Sequence, residues 1–194
     1  MKANILIVGV GGQGTLLASR ILGKVADLCG KDCKLSEVHG MSQRGGSVVT
    51  HVRIAEYAPS PIIAEGDADI VLAFELLEGA RWRHFAAPDG AIIVNTQRIW
   101  PMPVIGGTVD YPERLVTDMQ KEGKKVLALD AYKLACTAGS DKAINTVMIG
   151  AMARYLAWDT QVVLQAIECS VKPAFIEINK KAFELGYNAS SKLV

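Results

Sequence analysis

The chain has 194 residues, which is enough for one domain to bury a full hydrophobic core without help from disulfides or metals. Half of the residues are hydrophobic and 21% are charged, a composition that excludes a disordered chain and indicates surplus apolar surface of the kind that an obligate partner covers. Lys and Arg together number 21 against 20 Asp and Glu, so no overall field recruits nucleic acid or an anionic membrane. We expect a single domain over residues 1–194.

The first predicted unit is a strand, a tight turn and a helix. Residues 4–8 are mostly branched aliphatics in a continuous run, which is typical of a strand buried on both faces of a parallel sheet. Residues 9–14 are rich in glycine and form the turn. An apolar stripe at helical spacing then begins at Leu17 and predicts a helix over about residues 12–29 that packs on the sheet.

Strands and helices alternate through the middle of the chain. The hydrophobic pattern predicts helices at about 75–85 and 111–121, and strands at 34–39, 47–54, 69–74, 91–94 and 125–129. Proline and glycine indicate a connecting loop at 100–107. The stiff, apolar residues 100–103 within it are interpreted either as a partner surface or as a cover over the core.

The last third of the chain is predicted to be helical. Its clearest helix follows an apolar stripe that begins at Ile144 and ends at Tyr155, and further helices begin near Thr160 and Pro173. Together these elements predict an α/β protein with three α/β/α layers around a central sheet that is largely parallel or mixed. Its N-terminal βα unit is Rossmann-like, and its C-terminal third is helical.

The glycine turn has a pattern that carries chemistry. Gly9, Gly11 and Gly14 satisfy G-x-G-x-x-G directly after a strand and at the start of a helix. Glycines let the backbone approach a ligand closely, and the N–H groups and positive end of the helix favour a phosphate or carboxylate. A dinucleotide is the direct interpretation, but the extra Gly12-Gln13 pair favours protein or a different ligand.

A second polar, glycine-rich loop covers residues 37–46. Glu37 is the expected ribose-binding carboxylate of a dinucleotide site, although the dense loop after it is unlike that of a simple dinucleotide domain. Arg44 is its best anion contact, and the alternative is an ion pair with Glu37. We predict that the two loops lie side by side beyond the C-terminal strand ends. The candidate ligand-binding residues are Gly11, Gly12, Gln13, Gly14, Glu37, Ser42, Gln43 and Arg44.

No residue is assigned a catalytic role, and no metal site is predicted. His39 is interpreted as structural because nothing pairs it with a nucleophile. The four cysteines lack zinc or iron–sulfur spacing, and we interpret them as reduced, buried small side chains, which predicts a cytoplasmic protein. Glycines interrupt the uncharged residues 3–19, which excludes a secretory leader there, and no run is long enough to span a membrane.

Three strings in order along the chain carry a family resemblance. They are Gly-Val-Gly-Gly-Gln-Gly at 9–14, Glu-Val-His-Gly-Met-Ser-Gln-Arg-Gly-Gly at 37–46 and Asn-Thr-Val-Met-Ile-Gly-Ala at 145–151. The chain resembles the small (beta) subunits of indolepyruvate ferredoxin oxidoreductases over roughly residues 3–185. The wider family is the gamma-type domain of pyruvate and 2-oxoacid ferredoxin oxidoreductases.

This resemblance implies a complex that decarboxylates an arylpyruvate, passes electrons to ferredoxin and releases an acyl-CoA. Thiamine diphosphate, Mg, iron–sulfur clusters and CoA are then expected mainly on a large partner subunit, which leaves this chain accessory and without catalytic residues. The isolated chain is expected to be inactive, with a homodimer as one expected state. The alternative function is a stand-alone NAD(P)- or nucleotide-binding oxidoreductase that uses the glycine turn and Glu37.

Overall fold

Six strands form the central sheet in the computed structural model, which describes residues 1–40 and 45–190. The side chain of His39 lies outside this description. Across the sheet the strands follow the order β2-β3-β1-β4-β5-β6. Their bounds are β1 Ala3–Val10, β2 Asp32–His39, β3 Ser47–Ala55, β4 Ala68–Ala73, β5 Ala86–Asn95 and β6 Lys125–Leu129.

One strand sets the topology of the sheet. β1, β4, β5 and β6 pair in parallel, whereas β3 is antiparallel to both of its neighbours, β1 and β2. Residues 40–46 are too few for the crossover that a parallel β2–β3 pair needs, so β3 returns along β2. β3 therefore separates β2 from β1, while β1 and β2 run in the same direction.

Helices cover both faces of the sheet. Ile5 and Ile7 of β1 pack toward α1 and the C-terminal helices α5 to α8, whereas Leu6 and Val8 pack toward α2 and α4. This arrangement confirms the predicted three-layer α/β/α class with a mixed, largely parallel sheet. The helix bounds are α1 Thr15–Leu28, α2 Leu76–Arg81, α3 Met102–Ile105, α4 Leu115–Lys121, α5 Ala131–Ala138, α6 Ile144–Tyr155, α7 Thr160–Ser170 and α8 Ile176–Ala189.

The C-terminal helices α6 and α8 touch through their backbones. A Cβ placed on Gly186 of α8 would lie 2.0 Å from the carbonyl oxygen of Val147, and one on Gly150 of α6 would lie 2.2 Å from that of Phe183. Both distances are far below any contact that real side chains make. The two glycines are therefore required by the packing distance between the helices.

The predicted element order is confirmed, with local differences. The helix expected at 75–85 ends at Arg81 and continues as a 3-10 turn, and the one expected at 111–121 begins at Leu115. Residues 102–105 form a short helix inside the predicted loop, and α5 was not predicted. Asp130 caps α5 by accepting from the Lys133 N–H at 2.9 Å, so a local hydrogen bond starts a helix too short to show a clear apolar stripe.

The prediction that all four cysteines are buried is wrong. Cys136 and Cys169 are exposed, and Cys29 and Cys33 are partly exposed, with all four thiols free. Cys136 lies next to the buried Ala135 on α5, so the helical period turns its side chain away from the core. Within residues 1–40 and 45–190, no helix combines the length and the apolar character that a membrane crossing needs.

His51 of β3 gives the fold a pH dependence. Its Nδ1 accepts a hydrogen bond from the Ile63 N–H at 3.2 Å, and burial lowers the pKa of its imidazole below the ordinary value of 6.5. The unfolded chain therefore takes up a proton near pH 6.5 that the folded chain resists. We expect the free energy of unfolding to be at its full value above pH 6.5 and to fall as the pH drops below it.

The measurement is urea unfolding between pH 8 and 5.5, in which one proton limits the His51 contribution to about 1.4 kcal/mol per pH unit. His51→Gln is expected to flatten the curve below pH 6.5. The matched control is His84→Gln, because His84 is half exposed and lies 3.6 Å from the exposed Glu65. An unchanged slope in His51→Gln would contradict the assignment.

Candidate functional site

The glycine turn joins the end of β1 to the start of α1. β1 ends at Val10 and α1 begins at Thr15, with Gly14 at the N-cap. Gly12 and Gly14 have φ angles of 102° and 85°, which side chains with a Cβ rarely adopt. A Cβ on Gly14 would also lie 3.2 Å from Nδ2 of Asn145, whereas Gly12 faces open space.

The two glycine-rich loops lie side by side, as predicted, at the residues that the structure describes. The Gly11 N–H donates to the carbonyl oxygen of Gly46 at 2.9 Å, and the Gly45 N–H donates to that of Gly11 at 3.5 Å. Because β1 and β2 run in the same direction, both loops leave the same edge of the sheet. Of the predicted ligand-binding residues, Ser42, Gln43 and Arg44 lie outside the described residues.

A cavity of about 340 Å³ opens between the glycine turn, the first turn of α1 and the ends of β2 and β3. We call it the glycine cavity, and its lining residues are Gly11, Gly12, Gly14, Thr15, Leu16, Glu37 and Val48. No side chain caps the start of α1, and its first turn carries no acidic residue. The N–H groups and positive end of α1 are therefore directed toward the cavity without a competing carboxylate in the helix itself.

Glu37 brings a carboxylate to the far wall of the same cavity. Its side chain is partly buried, and its Oε2 accepts a hydrogen bond from Oγ1 of Thr50 at 3.3 Å. In a simple dinucleotide domain the acidic residue ends the strand next to β1. Here β3 lies between, so the backbone of Glu37 is about 10 Å from β1 at the usual strand spacing. The cavity thus combines the partial positive charge at the start of α1 with the Glu37 carboxylate, a hydrogen-bond acceptor, on the opposite wall.

Gln13 directs its side chain into the protein. Its Oε1 accepts from the Val10 N–H at 2.8 Å, and its Nε2 donates to the carbonyl oxygen of Phe74 at 2.9 Å. Asn95, at the end of β5, donates to the same Phe74 oxygen at 3.1 Å. These bonds tie the ends of β1, β4 and β5 together beneath the turn. Both polar atoms of the Gln13 amide therefore have partners within the protein. A ligand contact by Gln13 stays a prediction.

A network of hydrogen-bonded, buried amide and hydroxyl side chains leads away from the turn. The sequence did not predict it. Nδ2 of Asn145 lies 3.5 Å from the carbonyl oxygen of Gly14, and its Oδ1 accepts from the Thr146 N–H at 2.8 Å. The Thr146 hydroxyl donates to Oδ1 of Asn179 at 2.6 Å, and the Asn179 amide donates to the carbonyl oxygen of Phe175 at 2.8 Å. The Asn-Thr string that marked the family resemblance therefore connects the turn to α8.

Buried carboxylates support the other side of the loops. Glu75 caps α2, and its Oε1 accepts from the Tyr111 hydroxyl at 2.7 Å. Burial and this carboxylate raise the pKa of Tyr111 above its ordinary value of 10.0. Glu78 accepts from the Ser47 hydroxyl at 2.5 Å and pairs with Arg81 at 3.2 Å. Because Ser47 is the first residue of β3, this bond holds the start of β3 against α2.

A second, larger cavity of about 600 Å³ lies between α2, the start of β3 and the connection at residues 99–112. It includes the apolar residues Ile99, Trp100, Pro101 and Val104 and the charged residues Glu78, Arg81 and Asp110. Among the described residues, no group of three or more His, Cys, Asp or Glu side chains could hold a metal ion. What this edge of the sheet offers is backbone donors, the carboxylates of Glu37 and Asp110, and an apolar surface.

Such a site defines a class: an α/β domain that presents a glycine-lined cavity and an apolar surface at one edge of its sheet. The sequence matches the family described as pyruvate ferredoxin/flavodoxin oxidoreductase over residues 4–189. It is 38% identical over 192 residues to the indolepyruvate oxidoreductase subunit IorB of Archaeoglobus fulgidus, covering 97% of this chain and 95% of that one. The chain belongs to the pyruvate ferredoxin/flavodoxin oxidoreductase family, and the expected resemblance is confirmed.

Solved structures share the fold. The pyruvate oxidoreductase subunit PORC of Thermotoga maritima matches with a TM-score of 0.74 at 23% identity, over 96% of both chains. The 2-oxoglutarate:ferredoxin oxidoreductase of Magnetococcus marinus, solved with 2-oxoglutarate, coenzyme A and succinyl-CoA, matches with a TM-score of 0.73 at 16% identity. That match covers all of this chain and 32% of the other. The 38% identity to the Archaeoglobus fulgidus subunit makes this chain an oxidoreductase subunit. The relatives named here give no support to a stand-alone nucleotide-dependent enzyme.

Proposed function

We propose that this chain is the accessory subunit of a cytoplasmic oxidoreductase that decarboxylates an arylpyruvate such as indolepyruvate, reduces ferredoxin and forms an acyl-CoA. The observation that carries the proposal is the 38% identity to an indolepyruvate oxidoreductase subunit over nearly the whole of both chains. The exposed free thiols of Cys136 and Cys169 fit a reducing compartment. Thiamine diphosphate, Mg and the iron–sulfur clusters belong to the large partner subunit in this proposal.

The glycine cavity is our proposed contact for the phosphate end of CoA. The uncapped start of α1 and the open space at Gly12 fit a phosphate group that approaches the backbone closely. Glu37, on the opposite wall, repels a phosphate and accepts hydrogen bonds, so it suits a hydroxyl or amide of the same ligand. Arg44 stays our proposed additional anion contact, with Ser42 and Gln43 beside it, on the strength of the sequence.

The test of the function is reconstitution. Co-expression with the large subunit is expected to give a complex that reduces ferredoxin when indolepyruvate and CoA are both present, whereas the isolated chain is expected to be inactive. The isolated chain's mass in solution tests the expected homodimer at the same time. Turnover by the isolated chain with NAD or NADP, or failure of the two chains to co-purify, would contradict the proposal.

The CoA contact is tested by Gly12→Ala in the reconstituted complex. The φ of 102° and the new Cβ both disturb the cavity, so the KM for CoA is expected to rise about tenfold while the KM for the oxoacid is unchanged. Gly66→Ala is the matched control, because Gly66 has a φ of 79°, open space around its Cβ position and a place at the opposite edge of the sheet. Equal effects of the two substitutions would remove the glycine cavity from the proposal.

A further inference from the structure

A third cavity, of about 290 Å³, lies between α1, the start of α6 and the start of α8. Its wall includes the apolar residues Leu17, Val171, Phe175 and Ile178, together with Lys142 and Lys172, and we call it the lysine cleft. In the described part of the chain it shares no lining residue with the glycine cavity. Neither the family resemblance nor the proposed function uses it.

Both charged residues that line the lysine cleft, Lys142 and Lys172, are positive. Lys142 and Lys172 are both exposed, and within the described residues neither forms an ion pair and no Asp or Glu lines the cleft. Asp141 adjoins Lys142 in the chain but does not line the cleft. The positive ends of α6 and α8, each preceded by a 3-10 turn, also lie here. The cleft therefore favours an anion.

The floor of the lysine cleft is fixed before any ligand binds. Asn179 lines it and is almost fully buried, with its carbonyl oxygen accepting from Thr146 and its amide donating to Phe175. These bonds hold the first turn of α8, and with it the backbone that carries the Phe175 ring. A preformed apolar wall lowers the entropy cost of binding a rigid ring.

From these observations we propose that the lysine cleft binds a small aromatic carboxylate. The ring packs against Leu17, Phe175 and Ile178, and the carboxylate lies between the ammonium groups of Lys142 and Lys172. A volume of about 290 Å³ suits a molecule with one or two rings and is small for a nucleotide. The inference rests on the cleft alone and stands or falls separately from the proposed function.

The test is calorimetric titration of the full chain with indole-3-acetate as the probe and neutral indole-3-acetamide as its uncharged match. We expect saturable binding of the acid that is at least about tenfold tighter than binding of the amide. Lys142→Met with Lys172→Met is expected to reduce the affinity for the acid to that for the amide. Phe175→Ala is expected to weaken both, and thermal unfolding checks that each variant is folded.

Two controls locate the binding. Lys133→Met removes an exposed lysine from α5 and Gly12→Ala alters the glycine cavity, and both are expected to leave the affinity for the acid unchanged. Absence of saturable binding, equal affinity for acid and amide, or equal affinity for hexanoate would each overturn the proposal. So would displacement of the probe by inorganic phosphate at a similar concentration, since that would indicate a general anion site.

Discussion

Gly186→Ala is expected to lower the free energy of unfolding by about 3 kcal/mol and the Tm by about 10 °C. The new methyl group would meet the backbone of Val147 at 2.0 Å for its oxygen and 2.7 Å for its carbonyl carbon. A flexible side chain could move aside, but here the obstacle is the main chain of α6. The two helices must separate, and the core between them loses contacts along their whole length.

Gly23→Ala is the matched control for this substitution. Gly23 also lies inside a helix, but a Cβ there would meet Cδ1 of Leu35 at 3.8 Å, which is an ordinary contact. Alanine should therefore stabilise α1, by about 0.5–1 kcal/mol. Urea unfolding followed by circular dichroism measures both variants. If Gly186→Ala stays within about 0.5 kcal/mol of the parent chain, α6 and α8 are not in backbone contact.

Trp100→Ala is expected to weaken association with the large subunit about 30-fold while leaving the chain folded. Trp100, Met102, Ile105 and Val109 are each more than half exposed and fall within the single connection between β5 and α4. Long connections with exposed apolar residues commonly carry a function, and a desolvated Trp is a frequent energetic centre of an interface. The substitution removes little buried surface from the monomer, so its stability should be nearly unchanged.

The measurement is co-purification of the two subunits, followed by titration of one onto the immobilised other. Tyr57→Ala is the matched control, because Tyr57 is also an exposed aromatic residue but follows the end of β3 at the opposite edge of the sheet. It should leave the affinity unchanged. If Trp100→Ala binds the large subunit with unaltered affinity, this connection is not part of the interface. That result would not contradict the proposed enzyme function.

Hydrophobic periodicity was sufficient to predict most of the fold. The buried run of β1 and the apolar stripe of α6 are long enough for tertiary packing to leave a clear pattern in the sequence. Hydrophobic periodicity could not predict that β3 lies between β1 and β2. Strand order depends on which strands pair with one another and not on the composition of any one strand. Likewise α5 has only eight residues and depends on the cap at Asp130.

The candidate site was predicted in part. Glycines marked the turn, and the strand directions brought the second loop to it, so Gly11 and Gly46 could be expected to meet. The contacts of Gln13 could not be predicted, because they require knowing that the ends of β1 and β4 are adjacent. Asn179 is farther still from the turn in sequence and joins it only through the packing of α8 on α6.

Because β1 lies inside the sheet, its amides should exchange with solvent much more slowly than the amides of the neighbouring glycine turn. β3 pairs with β1 along its whole length, β4 pairs with its middle, and nearly every side chain of β1 is buried. Amides there should exchange only when the entire domain unfolds. The glycine turn, attached directly to this strand, lies outside the strand ladder, and its amides should exchange by local opening. A ligand or subunit bound at the turn would therefore slow exchange at residues 11–14 and leave the rate in β1 as an internal reference.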